Sequence, residues 1–184
     1  MEDFDNDWAQ HMTHPESEVL QWKGYFPGVL GYITALHGVY FYENWGFDIS
    51  FEVQVGKEVS EFITHFQEDR DELWVVSSGD TLAGCAVIDG SQSVLQGARL
   101  RWFIVAPQFQ GCGLGHALLD RAVEFCRKTG CHRIYLWTFE GLDRARSLFE
   151  GVGFKLCEEV ETHQWGRDLV AQKFELDIKR DIEG

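Results

Sequence analysis

Apolar positions recur along this chain in two rhythms. From Pro27 to Tyr42, the residues Val29, Ile33, Leu36, Val39 and Tyr40 fall at steps of three and four, which predicts a helix opening near the proline. Asn44-Trp45-Gly46 breaks that pattern. A second helix is expected over Phe51–Phe66, with Phe51, Val55, Val59, Phe62, Ile63 and Phe66 on one face. The spacing then turns to strands. Leu73–Val76 and Leu82–Ile88 flank the turn Ser77–Asp80 and read as a hairpin, and Arg99–Val105 is a longer strand stopped by Pro107. Leu114, Leu118, Leu119, Ala122 and Phe125 mark a third helix, closed by Thr129-Gly130. A buried strand (Ile134–Thr138), a short helix (Leu142–Glu150) and a final pair of strands (Phe154–Glu161 and Leu169–Ile178) complete the order α-α-β-β-β-α-β-α-β-β. That order predicts one α/β domain with a mixed central sheet flanked by helices. Strict alternation puts Arg99, Arg101, Phe103 and Val105 on one face of their strand and Leu100, Trp102 and Ile104 on the other.

The first 24 residues are polar, acidic and aperiodic, so residues 1–24 are expected to be a flexible arm before a domain spanning 25–184. Composition narrows the function. The formal net charge of −14 argues against a nucleic-acid partner and an anionic membrane surface. No apolar run approaches the length needed to span a bilayer, and the acidic start is unlike a signal peptide. The five cysteines (Cys85, Cys112, Cys126, Cys131 and Cys157) are odd in number, with no CxxC and no histidine-rich zinc spacing. They read as free thiols in a reducing compartment, and the protein is expected to be cytoplasmic and to hold no metal.

The chemistry gathers after Val105. A strand, the loop Gln110-Gly111-Cys112-Gly113-Leu114-Gly115 and a helix make an anion cradle, because glycines let the backbone curl and free N–H groups at the helix start point at the guest. A dinucleotide fingerprint needs its third glycine at position 116, where His116 stands. A triphosphate loop needs a following Gly-Lys-Ser/Thr, which is absent. Cys112 has no evident base beside it, so its N–H matters more here than its sulfur.

Val105-Ala-Pro107 followed by Gln110-x-x-Gly113-x-Gly115 resembles motif A of the GNAT-type N-acetyltransferases. Ala145-x-x-Leu148-Phe149-Glu150-x-x-Gly153-Phe154 resembles that superfamily's next motif, in the right order and at the right separation. More narrowly, Arg99–Glu175 is similar to acetyltransferase domains fused behind MarR-type winged-helix regulators, as are His37-Gly-x-Tyr40 and Trp45-Gly-Phe with Phe51-Glu52. No winged helix fits before Gly28, so the chain is expected to carry the catalytic part alone.

The resemblance implies acetyl-CoA as co-substrate and a small-molecule or peptide amine as acceptor. It implies splayed strands gripping the pantetheine arm through backbone groups of Phe103 and Val105. The pyrophosphate would sit on N–H groups from Gly111 to Gly115, including Cys112 and Leu114, and Phe149 would lie near the thiol. Gln110 stands where the family often has arginine. Phe149 stands where many relatives have a tyrosine that protonates the leaving thiolate, and Leu142 where they have asparagine.

For the general base the candidates are Glu52 and His37, with Glu43 behind them. For the acceptor site they are Arg101, Tyr40, Trp137 and Thr138, with Trp165 as a further wall; in place of the missing tyrosine, water or a residue such as Tyr135 or Thr138 is expected to protonate the thiolate. Arg101, inside an apolar strand, suits a substrate carboxylate. The abundance of aromatics admits a homodimer. Two competing readings are a non-catalytic acyl-CoA sensor, which the missing tyrosine favours, and a structural domain with no ligand.

Overall fold

The computed structural model describes residues 20–178. Its elements are β1 (Gln21–Lys23), α1 (Val29–Trp45), α2 (Ile49–Thr64), β2 (Glu72–Ser78), β3 (Thr81–Asp89), β4 (Ala98–Val105), a 3-10 turn (Pro107–Phe109), α3 (Leu114–Lys128), β5 (Arg133–Phe139), α4 (Asp143–Val152), β6 (Lys155–Gln164) and β7 (Arg167–Asp177). The seven strands form one sheet in the order β1-β2-β3-β4-β5-β7-β6. Its neighbours are antiparallel except β4 and β5, which run parallel. The expected succession of helices and strands is present, with β1 added at the edge. Gln21–Lys23 lies within the stretch expected to be an arm; it pairs with Lys23↔Val75 to Gln21↔Ser77 instead. Residues 1–19 of that arm lie outside the described residues.

Local chemistry sets the helix ends. The Asp48 carboxylate accepts the Ser50 N–H at 2.9 Å and so caps α2, satisfying a donor the helix cannot. α1 runs three residues past its expected end and stops where Gly46 turns left-handed, its N–H bonding to the Tyr42 carbonyl at 2.9 Å. The buried stripe of α1 passes through Val29, Ile33 and His37, whereas Val39, expected inside, is exposed. Steps of four carry the stripe from Ile33 to His37, and Val39 falls on the opposite face.

Two cores sandwich the sheet. α3 and α4 cover one face, where Leu118 and Leu119 meet Ile88, Leu136, Phe149 and Phe174. α1 and α2 cover the other, where Ile33, Val55 and Val59 meet Val75, Val87 and Ile104. Leu118 is fully buried, and truncating such a side chain to alanine costs about 2–5 kcal/mol.

The alternation expected along β4 fails at one place. Val87 pairs with Arg101 and Cys85 with Ile104, so the two residues Trp102 and Phe103 oppose Ala86 alone. This is a β-bulge. Trp102 takes a positive φ of 44° there. Beyond it the faces swap. Ala98 and Leu100 share the α3 side with Phe103 and Val105, while Trp102 and Ile104 lie on the α1/α2 side. Arg99 and Arg101, alternating with Leu100, lie on the α1/α2 side too, where Arg101 meets Glu58 of α2. The strain at Trp102 costs on the order of 1–3 kcal/mol. It is held in place by the Arg101 guanidinium 4.2 Å from the Trp102 ring centroid and by the Cys85 thiol donating to the Trp102 carbonyl.

Candidate active site

β4 and β5 are joined only at Ala98↔Ile134 and Arg99↔Tyr135. After that β5 stays with β7 along its whole length, from Arg133↔Asp177 to Phe139↔Ala171, while β4 follows β3 through the bulge. The β5-facing edge of β4 beyond Arg99 therefore has no strand partner. The gap widens into a cleft of about 540 Å³ that passes between the two strands. Phe103, Ala145 and Phe149 wall it on the α3/α4 side, and His37, Val55 and Glu58 wall it on the α1/α2 side.

Beside the α3/α4 wall lies the glycine loop. Gly111 and Gly113 have φ of 81° and 87°, a region open to glycine and costly for other residues. A methyl placed on either would meet nothing within 4 Å, so both face open space. Gly113 caps α3 with no side chain, the first helical backbone bond of this turn runs from Ala117 N–H to the Gly113 carbonyl, and the first turn carries no acid. The N–H groups ahead of Ala117 in this turn are thus directed outward at the positive end of the helix dipole. A methyl on Gly115 would lie 3.8 Å from the Phe103 ring and 3.2 Å from Leu148, so its smallness lets α3, β4 and α4 converge where the loop meets the cleft. Gln110 pins the loop by donating from Nε2 to the Val105 carbonyl at 3.0 Å, and its Oε1 accepts from Arg144 of α4 at 3.3 Å. That contact returns a cation to the loop that carries glutamine where the motif often has arginine. Cys112 is exposed, its thiol donating to the Phe109 carbonyl.

The sequence candidates divide. His37, Arg101, Phe103, Trp137, Thr138, Phe149 and Trp165 all line the cleft. Tyr40, Glu43 and Tyr135 do not; Tyr40 packs edge-on against Phe41 and Tyr135 lies beneath Lys173. Glu52 is also outside the cleft. It is exposed, with its carboxylate packed over Gly38 of α1. The carboxylate in the cleft belongs to Glu58, two turns further along α2, which the sequence reading passed over. Its signal was indirect: a guanidinium expected within an apolar strand needs an acid from another element.

Arg101 has that acid and a second. It bonds Glu58 at 2.5 Å and Asp89 at 2.9 Å. Its charge is committed within the protein, which removes it as a free anchor for a substrate carboxylate. His37 is buried, and its Nδ1 lies 2.8 Å from the Ile33 carbonyl. A carbonyl only accepts, so Nδ1 carries the proton and Nε2 is left as an acceptor on a ring that lines the cleft. Burial, opposed only in part by that hydrogen bond, lowers the His37 pKa to about 4. The imidazole is neutral at physiological pH. Phe149 is buried against Phe103, Phe154 and Phe174, and its ring offers no proton. Among the described residues, no three His, Cys, Asp or Glu side chains gather to hold a metal, and no helix is long and apolar enough to cross a membrane.

Residues 31–154, which include both motifs, the bulged strand and the loop, match the acetyltransferase (GNAT) family model. This chain belongs to the GNAT acetyltransferase family. Solved GNAT-like structures agree in fold. The spermidine N-acetyltransferase from Vibrio cholerae, in complex with CoA and spermine, superposes with a TM-score of 0.65 at 22% identity over 86% of this chain and 95% of its own. The ribosomal-protein-S18-alanine N-acetyltransferase from Escherichia coli gives 0.64 at 21% identity over 90% and 98%. A protein from Salmonella typhimurium solved with its cofactor acetyl-CoA gives 0.70 at 17% identity over 89% and 96%. No curated protein matches the chain in sequence.

Proposed function

We propose that this GNAT domain is an acetyl-CoA-dependent N-acetyltransferase acting on a primary amine of a small molecule or peptide. The observation that carries this reading is the junction of the unpaired β4 edge with a loop whose glycines face open space at the start of α3. A pyrophosphate fits that loop, because it offers outward N–H groups, a helix dipole and no competing acid. Residues Gly111 to Gly115 hold it, Gln110 fixes the loop, and Arg144 adds charge. The backbone of Phe103 and Val105 lies along the gap that a pantetheine arm would follow.

Bound acetyl-CoA supplies a thioester carbonyl and a thiolate leaving group. The chain's residues hold an amine against it, and such positioning can supply about 7–11 kcal/mol of barrier reduction. A backbone N–H near Val105 is the proposed oxyanion donor. Neutral His37 accepts a hydrogen bond from the amine through Nε2 and orients its lone pair. With a pKa of about 4 it is too weak to deprotonate an ammonium in bulk, so the ammonium gives one proton to solvent before attack, and the attacking nitrogen gives a second to water as the C–N bond forms and the C–S bond breaks. Among the described residues that line the cleft there is no tyrosine or cysteine to take the place of the tyrosine missing at Phe149. A thiol with a pKa near 8.5 leaves as thiolate with modest help and takes its proton from water.

The likeness to domains fused behind MarR-type regulators belongs to the same proposal, as does a catalytic domain that starts at or before β1 rather than at residue 25. Exposed Tyr32, Tyr42, Ile49 and Val53 on α1 and α2 support a homodimer. A second reading, an acyl-CoA sensor without turnover, rests on Phe149.

Thermal melting with and without acetyl-CoA tests the proposal. A ligand at 100 times its dissociation constant stabilises by about 2.7 kcal/mol. Gly113→Val, which crowds the open loop and strains a positive φ, is expected to abolish the shift while Gly151→Ala keeps it. No shift at millimolar acetyl-CoA refutes the cofactor assignment. A shift with no acetylation across an amine panel favours the sensor.

A further inference from the structure

The cleft's cations and acids are unevenly satisfied. Among its described lining residues the acid is Glu58 and the cations are Arg99 and Arg101. Both oxygens of Glu58 are taken, one by Gln54 at 2.9 Å and the other by Arg101. Asp89, the next acid along β3, gives one oxygen to the Ser91 N–H and the other to Arg101. Arg101 thus has each of its two terminal nitrogens in an ion pair. Arg99, two residues earlier on the same face of β4, has none of this. None of its guanidinium nitrogens has a hydrogen-bond or ion-pair partner among the described residues, and its Nε is enclosed without an acceptor. Burial and the neighbouring Arg101 both disfavour its charge. A buried guanidinium N–H without an acceptor is costly, and an oxygen acceptor arriving in the cleft recovers that cost.

We propose that Arg99 binds a carboxylate on the acceptor, so that the acceptor is an amine of the amino-acid class with an apolar body. The planar guanidinium suits a carboxylate because two N–H groups can meet two oxygens at once. The apolar body is matched by Trp102, Trp137, Val160 and Leu169, which line the same cleft. A polyamine is matched poorly, since the cleft's carboxylate is already paired with Arg101. This assignment rests on the acetyltransferase reading above and adds the acceptor to it.

The test is a panel of L-amino acids, their carboxamides and spermidine, supplied to the full chain with saturating acetyl-CoA. CoA release is followed by chromatography, because the exposed thiols of Cys112 and Cys157 would react with a thiol reagent. At least one amino acid is expected to exceed its carboxamide by about tenfold or more in kcat/KM, as loss of a charged hydrogen-bond partner requires. Arg99→Gln should bring the pair to within about threefold through KM for the acid, with acetyl-CoA affinity unchanged. Arg99→Lys, which keeps the charge but loses the fork, should retain part of the preference. Carboxamides or spermidine used as well as the acids, no amino acid used, or an unchanged preference in Arg99→Gln overturns the proposal. Acetyl-CoA stabilisation measured without any acceptor separates the failures. If it is present and the panel fails, only the carboxylate assignment falls; if it is absent, the acetyltransferase reading falls with it.

Discussion

His37 couples the α1/α2 wall of the cleft to acid stability, and the coupling has a sign and a size. Its imidazole is buried, donates from Nδ1 to Ile33, and has a pKa lowered from 6.5 to about 4 by burial. The unfolded chain therefore binds a proton between pH 6.5 and 4 that the folded chain refuses. Where the unfolded state holds more protons, stability rises with pH, so it must fall as pH drops through that window. Between pH 7.5 and 5 the loss attributable to His37 is about 2 kcal/mol, approaching about 3 kcal/mol near pH 4. The perturbation is His37→Asn, whose side-chain amide can still donate to the Ile33 carbonyl but does not titrate. Urea unfolding of both proteins at pH 7.5, 6.5 and 5 reads the effect. The smaller residue leaves a void, so the variant should be less stable at pH 7.5, yet the gap between the two proteins should shrink by about 2 kcal/mol by pH 5. Taking the difference cancels the remaining histidines. A gap that stays constant within about 0.5 kcal/mol would show that His37 is not held neutral by the fold, and the orienting role given to Nε2 would lose its basis.

The other perturbations address the neighbouring walls. Arg101→Met strands Glu58 and Asp89 and should lower stability by about 3–5 kcal/mol, read as a urea midpoint; a loss below about 1 kcal/mol would mean that Arg101 is not the structural hub of the cleft. Phe149→Tyr places a phenol where the motif usually carries one and should raise kcat severalfold with KM for acetyl-CoA unchanged. Reduced turnover, with a stability loss of about 1–3 kcal/mol from an unsatisfied hydroxyl, would show that the ring's far edge is packed rather than facing the cleft.

Much of this molecule was legible along the chain. The amphipathic spacing of α2 and α3, the glycines at 111, 113 and 115, and the motif through Leu148-Phe149-Glu150 are local signals. Each acts over one or two turns, where backbone sterics and helix periodicity decide the outcome. They were enough for the order of elements, the family likeness and the geometry of the glycine loop. The edge strand at Gln21–Lys23 was not legible, because three residues have no period and its existence depends on the free edge of β2. Nor was the bulge at Trp102, which swaps the two faces of β4 beyond Arg101; one extra residue opposite Ala86 is a property of strand register.

The side of the cleft proposed for the acceptor depended on tertiary structure throughout. Glu52 looked suitable at the start of a helix, but packing α2 on α1 turned it over Gly38 and brought Glu58 to the cleft. Arg101 and Arg99 read alike in sequence, as two cations spaced by one residue on a strand. Partners arriving from α2 and β3 pair the first and leave the second with a buried Nε that has no acceptor. The sequence by itself determined the loop proposed to cradle a phosphate, because that loop is built of backbone and needs only glycines before a helix. Which side chains remain free to meet an acceptor is a matter of what each is already bonded to, and those bonds join residues far apart in the chain.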